Sequence, residues 1–242
     1  MKKRIVLFLL GAILFISSLP MSATMAMETI HTNQMLARYE LHKISNRYPP
    51  PQSEFTYKNH KIKVEETIID EGNYTDRWNY KIAFANLSII VNGKRLDTLE
   101  NYPIRVEDEG LAKYYGNISF IIVKDKEKDD EKLYIILKET KDIIENGNVL
   151  GTVPFDSLTY SLYSLDEAGS LESDSFTFTD RNALQTLLLT NSGTSPIAVG
   201  YYTDAWNWMP SIVFPFIFPF FSLLIGLILM SRYFPFKRQF KT

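Results

Sequence analysis

The residues most suited to chemistry in this sequence are carboxylates gathered in short stretches. Asp70, Asn73 and Asp76 fall within the stretch DEGNYTD, whose side-chain oxygens could bind Ca²⁺. The stretch lacks the regular ligand spacing and the closing glutamate of an EF-hand, so a solvated turn between two strands is the favoured interpretation. The sequence therefore offers one weak calcium candidate, and no other metal site is predicted.

Two further groups of carboxylates occupy residues 107–109 and 129–131. Two carboxyl groups that meet in a cleft can act as acid and base, as they do in glycoside hydrolysis. Nothing in the sequence brings any two of these groups together, and charged turns explain both stretches equally well. A carboxylate-dependent hydrolase is therefore one hypothesis among several.

The motifs of other chemistries are missing. The chain has no cysteine, which excludes thiolate metal sites and disulfides. Its three histidines, His31, His42 and His60, do not form a pair at helical spacing. It has no serine-nucleophile, phosphate-loop or dinucleotide motif. We therefore predict a protein that is not an enzyme and that needs no cofactor.

Charge is distributed unevenly along the chain. Every acidic residue lies between Glu28 and Asp204, whereas seven of the 26 basic residues lie outside that stretch, near the two termini. The middle of the chain thus carries 19 basic against 28 acidic residues. An acidic domain repels phosphate backbones, so nucleic acid is not an expected partner.

The N-terminal residues have the order of a secretory signal. Lys2, Lys3 and Arg4 precede an apolar run at 5–19, and small residues follow at 22–26. This pattern predicts a signal peptide of residues 1–26 with cleavage after Ala26. An uncleaved anchor is the alternative, although a run of 15 residues spans only ~22 Å of a ~30 Å hydrocarbon core.

The C-terminal residues predict a transmembrane helix at 206–233, whose core, 212–230, has no charge. Aromatic and basic residues at its edges suit the two membrane interfaces and place a basic tail, 234–242, in the cytoplasm. The predicted interface residues are Trp206, Trp208, Arg232, Tyr233, Lys237 and Arg238. The bilayer is therefore an expected partner. Pro215 and Pro219 indicate either a late-starting helix or a kinked face that docks on another membrane protein.

The stretch between the two apolar ends, residues 27–205, predicts a mainly β domain outside the cytoplasm. Ile62 and Val64 alternate with charged neighbours, as on a half-buried strand. Further strands are predicted at 78–91, 118–123, 133–137, 159–165, around Phe176 and Phe178, and at 197–202. Many short strands favour a two-layer antiparallel β-sandwich, with a barrel or an α+β arrangement as alternatives.

Two hairpins and a bulge are the most specific local predictions. Asn92-Gly93 between apolar runs predicts a two-residue turn, because both residues tolerate positive φ. The runs 118–123 and 133–137 are apolar on both faces, so they predict a second hairpin in the middle of a sheet. Within 78–91 the apolar positions change face near Asn86, which predicts a bulge or a bend.

One or two short helices complete the predicted domain. Asp180 is the expected N-cap of a helix at 181–190, which residues 191–193 would end. A second helix is expected at 34–48. The absence of cysteine from an exported domain of this size favours a bacterial envelope, most simply that of a Gram-positive cell.

Three functions fit this layout. The first is a non-enzymatic module that binds another envelope protein or a cell-surface ligand outside the membrane. The second is an accessory subunit of a larger membrane complex, which docks through the proline-containing helix. The third is the carboxylate-dependent envelope hydrolase.

Overall fold

The computed structural model describes residues 2–44, 53–76, 79–141, 144–145, 148–149, 153–195, 199–202 and 216–234. The chain divides into two compact units, Met35–Pro196 and the combination of Met1–Gln34 with Ile197–Thr242. We call them the β-rich unit and the terminal unit. The predicted domain limits, 27 and 205, lie outside the β-rich unit at both ends.

The described residues are mainly β, with few helices, as the sequence predicts. The strands are β1 (Tyr39–Lys43), β2 (Glu54–Tyr57), β3 (His60–Asp76), β4 (Lys81–Val91), β5 (Lys94–Arg105), β6 (Ile118–Asp125), β7 (Asp130–Lys138), β8 (Ile144–Glu145), β9 (Asn148–Val149), β10 (Thr159–Leu165) and β11 (Leu171–Thr177). The α-helices are α1 (Lys2–Arg38), α2 (Ala183–Ser192) and α3 (Ser222–Tyr233).

The first sheet has the antiparallel order β1-β6-β7-β10-β11. Its central pair, β6 and β7, is the second predicted hairpin, with Asp125 opposite Asp130 at the turn. Both strands have neighbours on either side, which confirms the position that their two-sided apolar character predicts. Strand β10 has the predicted bounds.

The second sheet has the order β5-β4-β3-β9-β8, and β2 also pairs with β3. All of its pairs are antiparallel except β3 with β9. The Asn92-Gly93 hairpin is confirmed, because Val91 pairs with Lys94 and the two turn residues have φ of 52° and 77°. The register of β4 against β5 shifts between Ala85 and Leu87, which confirms the bulge at Asn86.

One cluster of buried side chains takes members from both sheets of the β-rich unit. Leu87 and Ile89 of the second sheet and Leu133 and Ile135 of the first are completely buried in it. The opposite face of the first sheet packs against α2, where Leu187 and Leu188 are buried as well.

The cap of α2 differs from the prediction. Asn182, not Asp180, accepts the amide of Gln185 at 2.9 Å, and the Gln185 side chain accepts the amide of Asn182 at 2.7 Å. This reciprocal capping box uses two orphan donors, whereas the carboxylate of Asp180 accepts from the Thr177 hydroxyl. The predicted end is confirmed, since Gly193 takes the left-handed conformation with φ of 76°.

Two other predicted elements are wrong in the part of the chain that is described. The helix expected at 34–48 ends at Arg38, because the next five residues pair with β6 as strand β1. The strand expected at 197–202 is absent at 199–202. The amides of Tyr201 and Tyr202 instead donate to the Glu28 carboxylate, so they are not available to a sheet.

The long apolar helix lies at the other end of the chain from the predicted one. Within the described residues, α1 alone is long and apolar enough to cross a membrane. Of the C-terminal segment only 216–234 is described. There an irregular turn at Phe216–Phe221 precedes α3, whose 12 residues span ~18 Å. Within 216–234 the regular helix begins at Ser222, after Pro219, and the choice between the two alternatives for the prolines also involves residues outside the described part.

Candidate functional site

The most distinctive surface of the β-rich unit is an open edge of strand β3. On this edge β3 pairs with β2 as far as Lys63, and Val64 donates to the carbonyl of Ser53 at 2.9 Å. Strand β9 pairs with β3 only from Thr75 onward. In the described ranges, no strand covers this edge from Glu65 to Tyr74. Glu65 to Ile68 are in regular register with β4, and an uncovered edge of this kind can pair with a further strand.

This open edge carries exposed apolar side chains. Ile68 is 43% exposed and Ile69 is 53% exposed. Exposed β-branched residues on an unpaired edge favour association with another extended chain, and proteins usually prevent this with charges, prolines or covering loops. Val106, which is 49% exposed, lies beside the same stretch and shares a hollow with Ile68.

Two hollows border strand β3. The first, of about 390 Å³, lies on the open edge along Val64 to Thr67 and is also lined by Lys113 and Tyr114. The second, of about 290 Å³, is lined by residues 68–75 of β3 and by residues 81–83 of β4, so it lies where these two strands pair. The first hollow could therefore receive a side chain of a strand bound to the open edge.

The first hollow is polar and internally bonded. The Glu66 carboxylate accepts from the Lys113 ammonium at 2.8 Å and from the Tyr114 hydroxyl at 3.0 Å. Burial, together with the adjacent carboxylate, raises the pKa of Tyr114 well above its usual value, so this hydroxyl stays protonated and donating. The charge of Glu66 is thus balanced by Lys113 within the hollow.

The second hollow is shaped by an irregular part of β3. The register of β3 against β4 shifts on both sides of Asp70. The Tyr74 ring crosses Gly72 so closely that a Cβ there would lie 2.5 Å from it. The same ring packs edge-on against Phe84 with centroids 5.0 Å apart. Glycine at position 72 therefore allows the Tyr74 ring to pack across the backbone and line the second hollow.

The predicted calcium residues lie in strand β3, where the sequence predicts a loop. Asp70 accepts from the Gly72 amide at 2.9 Å and from the Tyr74 hydroxyl at 2.8 Å. Asp76 accepts from the Tyr80 amide at 2.9 Å and from the Arg105 guanidinium at 3.2 Å. Asn73 belongs to the same strand, but its side chain is outside the described part. Where side chains are described, no three His, Asp or Glu residues gather as metal ligands.

The segment that contains these residues is strongly acidic. Residues 65–76 hold five carboxylates and no basic residue. Three of them have cation partners from the chain itself: Glu65 with Lys63 at 2.8 Å, Glu66 with Lys113 at 2.8 Å, and Asp76 with Arg105 at 3.2 Å. The segment keeps a negative balance around its apolar residues, which suits a partner with basic and apolar side chains.

The predicted membrane-interface residues are only partly described. Arg232 and Tyr233 form the last turn of α3, and the Arg232 guanidinium lies 5.9 Å from the Tyr233 ring centre. Trp206, Trp208, Lys237 and Arg238 lie outside the described residues. Ala26, the predicted cleavage position, lies within α1, where the helix runs unbroken from Lys2 to Arg38. Cleavage after it stays a prediction.

Sequence reasoning missed the open edge itself. The apolar pair Ile68-Ile69 between acidic residues was a signal that the strand is exposed, since a covered strand of this sheet would not carry charges on both sides of it. Which strands flank β3 depends on chain segments distant in sequence, so the uncovered stretch could not be read from local pattern. Comparison with known protein families, with curated proteins and with solved structures gave no match to this chain.

Proposed function

We propose that this chain is a membrane-held binding module of a bacterial cell envelope, most simply a Gram-positive one, and that it is not an enzyme. Its partner is an extended segment of another envelope protein, which adds a strand to the open edge of β3. The proposal includes the two-layer β-sandwich, a position outside the cytoplasm and a membrane-spanning C-terminal segment with its basic tail inside. The single observation that carries it is the edge from Glu65 to Tyr74, which no strand of the described residues covers.

Three features support an extended polypeptide as the ligand. An unpaired strand edge offers a row of backbone donors and acceptors, which only another extended backbone matches along its length. The first hollow, on this edge, offers a place for a side chain of that backbone. The acidic balance of 65–76 favours a segment with basic residues among apolar ones.

The test places a photo-crosslinking amino acid at Ile69 of the full chain in living cells. We expect a covalent adduct with an envelope protein, and mass spectrometry should place the adduct in a segment with basic and apolar residues. The matched control carries the same amino acid at Leu171, which is 41% exposed on the edge strand β11. It should give no such adduct.

A second variant distinguishes strand addition from nonspecific hydrophobic association. Ile68→Lys puts a charge on the open edge, as natural edge strands do to prevent pairing, and should abolish the adduct at position 69. Equal adducts at 69 and 171, or none at 69, would contradict the proposal. An adduct formed only from Ile228, which is 51% exposed on α3, would favour the accessory subunit that docks through the C-terminal helix.

A further inference from the structure

The terminal unit holds two apolar helices whose backbones touch at glycine. A Cβ on Gly11 of α1 would lie 2.7 Å from the Cβ of Leu229 and 3.0 Å from the carbonyl oxygen of Gly226. A Cβ on Gly226 of α3 would lie 2.8 Å from the carbonyl oxygen of Gly11 and 2.8 Å from the amide nitrogen of Phe15. Neither position accepts any side chain. Such close approach at small residues is how helices pair in lipid, where burial of apolar side chains offers no gain.

Three contacts show that the C-terminal part of the terminal unit runs antiparallel to α1. The Phe8 and Phe234 rings meet edge-on with centroids 5.8 Å apart. Gly11 meets Gly226, and farther along α1 the Glu28 carboxylate accepts the amides of Tyr201 and Tyr202, each at 2.6 Å. Residue numbers therefore increase along α1 while the numbers of the residues that contact it decrease. The basic residues at 2–4 and Arg232 therefore lie at the same end of the pair.

Helix α1 is long enough to be a membrane helix. From Ile5 to Met27 it has 23 residues without a charge, which span ~34 Å against a hydrocarbon core of ~30 Å. The apolar run, residues 5–19, has the length of a signal peptide's apolar region, but the uncharged helix continues for eight residues beyond it. The run ends at Leu19, after which Ser22 and Thr24 follow. Thr24 donates to the carbonyl of Pro20 at 2.9 Å, as Ser18 does to that of Leu14 at 2.6 Å, and Ser22 is buried at 5% exposure.

The predicted cleavage position lies inside the helix. Ala26 and Met27 are both exposed, so only the helical backbone and the contacts of the neighbouring Met25 and Glu28, which are buried, oppose access to the Ala26–Met27 bond. A peptide bond inside a helix reaches a peptidase only when the helix opens, and the anchoring of Glu28 by two amides opposes that opening. Cleavage would also remove Gly11 and leave the glycine face of α3 without its partner.

We propose that the N-terminal segment is retained as a membrane helix that pairs with α3 through Gly11 and Gly226, so that both chain ends lie in the cytoplasm. This inference rests on the proposed membrane placement of the chain, and it replaces the single-pass topology with a two-pass one. Both basic ends then lie on the same side, as the positive-inside bias requires.

The first measurement is retention of the N-terminus. The full chain with an epitope tag before Met1 is expressed in cells, and its membrane fraction is probed for the tag. We expect one full-length species that keeps the tag, and a tag that protease added to intact protoplasts does not remove. Loss of the tag, with a mature N-terminus at Met27, would overturn the proposal.

The second measurement is a cross-link, for which the absence of native cysteine is an advantage. Phe8→Cys with Phe234→Cys should cross-link within one chain in membranes. The control pair Ile13→Cys with Phe234→Cys should not, because Ile13 is 65% exposed on another face of α1. A retained tag without the Phe8–Phe234 cross-link would overturn the pairing.

The final test introduces a larger side chain at the contact between Gly11 and Gly226. Gly11→Leu should lower the rate of the Phe8–Phe234 cross-link at least about tenfold, because no side chain fits there. Ser17→Leu adds bulk at an exposed position of the same helix and should leave the rate unchanged. Equal rates for the two variants would contradict the glycine contact. Protease digestion of the β-rich unit in the same cells tests separately whether that unit lies outside the cytoplasm. The Ile69 adduct tests partner binding independently of the helix pairing.

Discussion

The two compact units of this chain are stabilised by opposite kinds of contact. In the β-rich unit, large side chains such as Leu87 and Leu133 fill the interior and are completely buried. In the terminal unit the closest approach is at Gly11 and Gly226, where side chains are absent. Water drives apolar side chains together, whereas lipid does not, so helices in lipid gain stability from backbone proximity. Truncation should therefore damage the β-rich unit, and added bulk should damage the terminal unit.

The largest effect should come from truncation in the β core. The β-rich unit is large enough to bury its own core, so we expect Met35–Pro196 to fold when expressed alone, with a strand-dominated circular dichroism spectrum. Leu87→Ala should then lower its free energy of unfolding by about 2–5 kcal/mol, because a cavity remains where the side chain was. Chemical denaturation measures the change.

Leu171→Ala is the matched control for that truncation. Leu171 is 41% exposed on β11, so its removal should cost less than about 0.5 kcal/mol. If both substitutions cost the same, the shared interior of the two sheets is not what stabilises the β-rich unit, and the contrast between the units disappears.

A smaller effect isolates backbone strain from packing. A Cβ at Gly93 meets nothing within 4 Å, so Gly93→Val tests only the positive φ of 77°. We expect the free energy of unfolding of the β-rich unit, measured by chemical denaturation, to fall by about 1–3 kcal/mol. Gly93→Asn should cost much less, since asparagine tolerates this conformation. Equal midpoints for Gly93→Val and the parent would mean that the turn is not rigid.

The structure also refines what position 92 does in that turn. The Asn92 side chain accepts the Lys61 amide at 2.9 Å and bonds the His60 ring at 3.0 Å. Asn92→Gly keeps the backbone conformation but loses these bonds, at a cost of about 0.5–1.5 kcal/mol. Asn92 therefore joins this hairpin to the turn between β2 and β3, which is not evident from the sequence.

The cap of α2 should show a smaller effect than Gly93→Val. Asn182→Ala removes one half of the capping box and should destabilise the β-rich unit by about 0.5–2 kcal/mol. Asp180→Ala is the control, because the structure gives that residue no contact with the helix amides. A larger loss for Asp180→Ala in the same denaturation assay would restore the cap that the sequence predicts.

The smallest effect should be a dependence on pH at the edge of the first sheet. The hydrogen bond from Arg38 holds the pKa of Asp125 below its usual value. The unfolded chain then binds the proton first, so this stabilisation is present at neutral pH and is lost as the pH falls below about 4. The stability difference between the parent and Asp125→Asn should shrink between pH 7 and pH 3. A difference that stays constant would show that the charge of Asp125 does not matter.

Local chemistry explains why some elements could be predicted residue by residue. The Asn92-Gly93 turn, the bulge at Asn86 and the left-handed Gly193 depend on backbone conformations that few residue types adopt. The central position of β6 and β7 follows from apolar side chains on both faces. Each of these signals is contained within a few neighbouring residues, so no distant segment is needed to interpret it.

The candidate site could not be predicted in the same way. Asp70 and Asp76 were expected in a solvated loop, but Asp70 pairs with β4 and Asp76 with β9, and Tyr74 and Arg105 bond their carboxylates. The helix expected at 34–48 ends at Arg38 because β6 offers the next residues a strand partner. Both differences have the same cause, since long-range backbone pairing outweighs local propensity.

The sequence alone determined the mainly β character, the main turns and the positions of the apolar ends. The tertiary structure decided which part of β3 remains open and that Gly11 meets Gly226. Turn and strand preferences arise from steric limits within a few residues, which the sequence states directly. An open edge and a contact between helices depend on which segments, far apart along the chain, come to lie beside each other, and residue type alone does not encode that.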